Sequence, residues 1–129
     1  MDRGALRRRP TVALAVLITS ALLALTTPAG AEAAGSPCPG RKTRTLTFSA
    51  GAVHVYRGNG SVCAFTLRAR PGTRTRMSVS VRARGHRAVR REGSRTRRIG
   101  PVDVYAGHRC VWVEGSVGHA EVSSGWILC

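Results

Sequence analysis

From Leu46 onward, apolar and polar residues alternate in short runs that glycine-containing turns separate. A period of two is typical of strands with one buried face, and no apolar spacing typical of a helix follows residue 34. The pattern predicts an all-β domain, a small antiparallel β-sandwich of seven to nine short strands. Residues 87–99 are poorly patterned, and we expect a mobile connection or an irregular strand pair there.

The turn at Gly58-Asn59-Gly60 can be closed in two ways, which place different side chains in the core. A two-residue loop would set Val53 opposite Thr66. A three-residue loop, with its last glycine in the left-handed conformation, would set Val53 opposite Phe65 and Val55 opposite Cys63. Because the second register keeps apolar residues together, we predict the three-residue loop.

The last two runs are predicted to form a hairpin centred on Gly118 to Glu121. In this register Cys110 lies opposite Cys129, and both Trp112 and Trp126 are expected to fill the core. Exposure of either indole to solvent would instead favour a site on which sugar rings stack.

Four cysteines allow three disulfide connectivities. Directly opposed residues of an antiparallel pair lie within the Cα separation that a disulfide tolerates, so Cys110 is predicted to bond to Cys129. Elimination then pairs Cys38 with Cys63. Because disulfides persist in oxidising compartments, a secreted, extracellular protein is expected.

The first 34 residues have the parts of a secretory signal peptide. Arg7–Arg9 precede an apolar run from Val12 to Leu25, and small residues follow up to Ala34. This run of 14 residues is shorter than a membrane-spanning helix, which needs roughly 20. We predict a cleaved signal peptide over residues 1–34, a single domain over residues 35–129, and no membrane span in the mature form.

Basic residues far outnumber acidic ones. The chain has 21 Lys plus Arg and six Asp plus Glu. Residues 35–129 contain 17 of the basic and four of the acidic residues, which gives a net charge of +13 with neutral histidines. A surplus of this size points to an anionic partner or surroundings.

The sharpest candidate surface is the run from Arg74 to Arg84. Alternate positions are apolar, and the others are arginine or serine, so one face packs while the other presents guanidinium groups that bind carboxylate or phosphate. In a hairpin closed by residues 70–73, Arg68 would approach Arg74 or Arg76. We predict a polyanion-binding face with these residues: Arg68, Arg70, Arg74, Arg76, Arg82 and Arg84, with Tyr56 as an aromatic platform on the same face.

Three kinds of anionic polymer suit such a face equally: phosphate polymers of a cell envelope, acidic polysaccharides and extracellular DNA. Sequence-specific binding of nucleic acid is not indicated, because Tyr56 is the only aromatic residue expected beside the arginines. A basic surface can also simply be solvated, so a structural secreted protein without a specific ligand stays open.

No motif indicates catalysis, a cofactor or a metal. The four histidines lack metal-ligand spacing, and the cysteines are assigned to disulfides. Glu114 and Glu121 are expected too far apart along the last hairpin to act as a paired acid and base. We predict a non-enzymatic binding module. The alternative is a secreted protease inhibitor or other protein-binding module, with exposed loops at Arg70–Thr73 and Ala106–Arg109.

Overall fold

The computed structural model describes residues 35–129, in which eight strands form two antiparallel sheets and no helix occurs. The strands are β1 (Arg41–Phe48), β2 (Gly51–Gly58), β3 (Ser61–Arg68), β4 (Thr75–Ala83), β5 (Val89–Arg95), β6 (Arg98–Tyr105), β7 (Val111–Val117) and β8 (Ala120–Ile127). The first sheet has the order β1-β2-β3-β6 and the second β5-β4-β7-β8. The all-β prediction is confirmed. The predicted signal peptide, residues 1–34, lies outside the described residues.

The core lies between the two sheets. Val53 and Val55 of β2 and Val79 and Val81 of β4 are completely buried and belong to one apolar cluster. Along β4 the apolar side chains face this cluster, while Arg76 and the arginine after Val81 stay exposed, as alternation predicts. The arrangement is sandwich-like. Among the described residues, none forms a helix long and apolar enough to cross a membrane.

The turn between β2 and β3 has two residues, Asn59 and Gly60, so the predicted three-residue loop is wrong. Both have positive φ, 52° and 81°, as the tight hairpin turn favoured by Asn-Gly requires. Val53 therefore lies opposite Thr66. The core accepts this threonine because its hydroxyl donates a hydrogen bond of 2.8 Å to the carbonyl oxygen of Ser78 in the other sheet.

This register turns Cys63 and Phe65 to the outer side of the first sheet. There they form a second buried cluster with Cys38, and Tyr56 and Leu67 pack against it. β3 is thus buried on both faces, which is why its sequence does not alternate cleanly.

β3 and β4 belong to different sheets, so the predicted hairpin between them is wrong. Gly51, and not Arg74 or Arg76, lies opposite Arg68. The physical reason is burial of apolar surface. Residues 70–73 cross between the sheets, so the apolar face of β4 packs on the apolar face of β2. Two strands of the same sheet lie side by side and cannot bury each other's faces in this way.

The poorly patterned stretch is regular in the structure. All seven residues of β5 pair with β4 between Thr75 and Val81, and the chain then turns at Thr96-Arg97 into β6. β5 is an edge strand with exposed, mostly charged side chains. Backbone pairing, and not an apolar face, holds it in place, so the sequence pattern does not reveal it.

Both predicted disulfides, Cys38–Cys63 and Cys110–Cys129, are confirmed. The register that suggested the second one is wrong, because a bulge between Trp112 and Glu114 and a two-residue turn at Gly118-His119 shift the pairing of β7 and β8. Two disulfides indicate an oxidising environment of the extracellular type.

Candidate polyanion-binding face

The outer side of the second sheet carries the arginine row of β4 and its cross-strand neighbours. We call this surface the basic face, and it is made of Arg76, Ser78, Ser80, Arg82, Arg84, Arg90, Glu92, Trp112, Glu114, Ser116 and Trp126. Ser78 and Ser80 are only 4% and 6% exposed, and the Ser78 and Ser116 hydroxyls lie 2.7 Å apart. The long side chains around them thus form the surface itself.

At one end of the basic face, Glu92 forms ion pairs with two arginines. Its carboxylate lies 3.3 Å from Nε of Arg76 and 3.5 Å from a terminal nitrogen of Arg90. These exposed ion pairs add little stability, about 1 kcal/mol or less each. They do reduce the local positive charge and hold two guanidinium groups away from any other anion.

At the other end, Arg82 and Arg84 are arranged differently. The Cζ atom of each lies 5.0 Å from the centre of the Trp126 ring, a cation–π distance. Within residues 35–129, neither side chain has an ion pair or a hydrogen-bond partner, and both residues are exposed. Stacking orients the two guanidinium groups and leaves their N–H donors available for an anion.

The indoles themselves are not in the core, so that prediction is wrong. Trp112 lies opposite Trp126 on the outer side of the sheet, half-buried, and the rings meet edge to face with centroids 5.3 Å apart. Trp112 faces outward because it alternates along β7 with the buried Val111 and Val113. Trp126 faces outward because the shifted register places it opposite Trp112, since a slip of one residue sends a side chain to the opposite face of a sheet.

A shallow depression of about 230 Å³ lies beside the indoles, lined by Ser80, Arg82, Ala88, Trp112 and Glu114. The Trp112 indole Nε1–H donates a hydrogen bond of 2.9 Å to Oε2 of Glu114. The depression therefore combines an aromatic ring, a cation and a fixed carboxylate.

The remaining predicted residues do not join this end of the basic face. Arg68 donates to the carbonyl oxygens of Thr73 and Thr96, at 2.7 and 3.1 Å, and so fastens the crossing between the sheets. Arg74 donates to the carbonyl oxygen of Ser94 at 3.0 Å, and Arg70 is exposed in the crossing loop.

Tyr56 lies on the other sheet. Its ring stacks on Phe65 in the outer cluster, with centroids 6.1 Å apart. The structure does not bring it to the arginines of β4. Sequence reasoning missed another aromatic residue, Tyr105, which is 70% exposed beside Gly60 and Gly107. Its position in an apolar run gave no sign of exposure.

The described residues contain no group of three His, Cys, Asp or Glu close enough together to hold a metal ion. His54 lies outside the basic face: its ring stacks on Phe65 at 5.1 Å, and its Nδ1 is buried without a hydrogen-bond partner. Burial, with a smaller effect from the positive charge of Lys42, lowers the pKa of His54 below 6.5.

Comparison with known proteins finds no matching family model, no similar curated protein and no similar solved structure.

Proposed function

We propose that this protein is a secreted, non-enzymatic binding module that contacts anionic polymers through the arginine-rich basic face of its second sheet. Such polymers include envelope phosphate polymers, acidic polysaccharides and extracellular DNA. The observation that carries the proposal is the pair Arg82 and Arg84, which Trp126 orients and which have no ion-pair partner within residues 35–129.

The charge of the whole domain supports the same role. Residues 35–129 carry 17 basic and four acidic side chains, and one of those acids, Glu92, is the ion-pair partner of Arg76 and Arg90. An excess of this size attracts polyanions from a distance and speeds encounter. Oriented guanidinium groups can then bind carboxylate, sulfate or phosphate in a two-pronged geometry.

Export is part of the proposal. Four cysteines in two disulfides suit an oxidising compartment, and the leader predicted over residues 1–34 supplies a route to it.

The test is retention on a phosphate-bearing matrix. Arg82→Ser/Arg84→Ser should elute at clearly lower salt than the wild type, while folding stays intact because both side chains are exposed. The matched control is Arg41→Ser/Arg44→Ser, which removes the same charge from exposed positions of β1 in the first sheet. We expect this control to lose less retention.

Three results would contradict the proposal. Equal losses in both variants would mean that overall charge, and not this face, determines retention. Retention that does not fall between about 50 and 200 mM salt would exclude a polyanion contact. Stoichiometric inhibition of a trypsin-like or subtilisin-like protease that persists in high salt would favour an inhibitor instead.

A further inference from the structure

The depression beside Trp112 contains a group that a pure phosphate-binding surface would avoid. Glu114 lines it, held by the hydrogen bond from the Trp112 indole to its Oε2 atom. An ionised carboxylate only accepts hydrogen bonds, so it repels a phosphodiester and attracts a ligand that carries hydroxyl donors. The internal backbone of DNA has no hydroxyl groups, whereas a polysaccharide has several on each ring.

The other walls of the depression suit a sugar ring as well. The face of an indole carries partial negative charge, which attracts the C–H groups of a pyranose. Trp112 lines the depression, and Ser80 adds a hydroxyl that has no hydrogen-bond partner among residues 35–129. Ala88 completes the lining with a small apolar side chain.

Arg82 lines the depression, and Arg84 lies over the same Trp126 ring as Arg82. Because each Cζ lies 5.0 Å from the same Trp126 ring centre, the two Cζ atoms are within about 10 Å of each other. An acid group on a sugar held in the depression is therefore within reach of Arg82. The ligand must therefore offer a ring, hydroxyl groups and an anion together.

We infer that the polymer bound here is an acidic polysaccharide, whose sugar rings carry carboxylate or sulfate groups. Its ring packs on Trp112, its hydroxyls donate to Glu114, and its acid groups pair with Arg82 and Arg84. This inference rests on the proposed function and adds the identity of the ligand class to it.

The chain offers a direct optical test. Trp112 and Trp126 are its only tryptophans, so intrinsic tryptophan emission reports on the depression, through Trp112, and on the neighbouring Arg82–Arg84 pair, through Trp126. The purified protein is titrated at low salt with a uronic-acid oligosaccharide, its carboxyl-reduced neutral analogue, a sulfated oligosaccharide, single-stranded DNA and inorganic polyphosphate. Binding is followed in parallel by a method that does not depend on tryptophan, such as anisotropy of a labelled ligand.

We expect the acidic oligosaccharides to bind and to change the emission in a saturable way. The relative response to the carboxylate and sulfate ligands identifies the preferred acid group. DNA and polyphosphate should change the emission less than the acidic oligosaccharides do, because they reach Arg82 and Arg84 beside Trp126 without packing on Trp112. The neutral analogue should bind more weakly than either acidic oligosaccharide.

Glu114→Gln supplies the residue-level test. It should weaken binding of the acidic oligosaccharide about tenfold, since hydrogen bonds to a charged acceptor are the strong ones, and should not weaken binding of DNA. Glu121→Gln is the matched control, because it removes the same charge from an exposed position outside the depression.

The outcomes separate the two proposals. If no polyanion binds at low salt, the proposed function fails. If DNA or polyphosphate changes the emission as strongly as the acidic sugars do, if the neutral analogue binds as well as they do, or if the acidic sugars bind without any change in emission, polyanion binding stands and the assignment to an acidic polysaccharide is overturned.

Discussion

At the scale of single residues, Gly115 of one sheet lies close against side chains of the other. A Cβ atom at this position would lie 2.3 Å from Cγ2 of Val53 and 2.6 Å from Oγ1 of Thr66. The Thr66 hydroxyl uses this close approach to donate to the carbonyl oxygen of Ser78 across the core. A small residue on one sheet thus permits a satisfied polar residue on the other.

His54 makes the free energy of unfolding depend on pH. Burial and the charge of Lys42 lower its pKa in the folded state below the ordinary 6.5, so the unfolded chain binds more protons as the pH falls through 6.5. The free energy of unfolding should therefore be largest above pH 6.5 and decrease below it. Urea unfolding about one pH unit to either side of 6.5 measures the difference.

Replacing the histidine identifies the cause. His54→Gln should reduce the pH dependence in this window, whereas His119→Gln should retain it because His119 is exposed. The same dependence in wild type and His54→Gln would show that another group is responsible.

At the scale of elements, turns determine which side of each strand faces the core. The Asn59-Gly60 turn has positive φ at both residues, and it places Thr66 inward and Phe65 outward. Gly60 also packs against an aromatic ring, since a Cβ there would lie 2.7 Å from Cε1 of Tyr105.

Substitution of Asn59 tests the role of this turn. Asn59→Ala should lower the free energy of unfolding by about 1 kcal/mol, because alanine adopts the left-handed conformation less readily than asparagine. Asn59→Gly should lose less, since glycine adopts it freely. Urea denaturation measures both. A loss for glycine as large as for alanine would mean that the Asn59 side chain, and not its backbone conformation, stabilises the turn.

At the scale of the whole molecule, residues 35–129 combine a high net positive charge with a small core. Charge repulsion opposes compaction, and a domain of this size buries a smaller fraction of its surface than a larger one. The two disulfides restrict the unfolded chain and so offset both effects. One joins Cys38, ahead of β1, to the middle of β3, and the other joins Cys110, the residue before β7, to Cys129, which follows β8.

Removing each disulfide should therefore have a measurable and unequal effect. Cys110→Ala/Cys129→Ala should lower the free energy of unfolding by about 3 kcal/mol through the loss of loop closure. Cys38→Ala/Cys63→Ala should cost more, because its side chains are also buried beside Phe65. Denaturant unfolding compares them, and an equal or larger loss for the first pair would show that burial in the outer cluster contributes nothing.

Much of the fold could be predicted because it depends on neighbouring residues. Alternation along β4 identified its buried face, and the apolar runs located most of the strands. β5 could not be recognised as a regular strand, because an exposed, charged edge strand is held by backbone hydrogen bonds and does not require an apolar face that the sequence would show. Of the candidate site, the exposed Arg82 and Arg84 were predicted, but the rings beneath them were not.

The sequence by itself determined the alternating strand pattern, the number of cysteines and the excess of arginine, because each depends on residue type and local spacing. Only the tertiary structure decided which side of β3 and β7 faces inward, which sheet receives β4, and which arginines Glu92 occupies. Those outcomes depend on contacts between distant segments, such as Thr66 with Ser78 and Arg84 with Trp126. A single bulge or a change of one residue in turn length moves side chains to the opposite face of the sheet without changing the local pattern of apolar and polar residues.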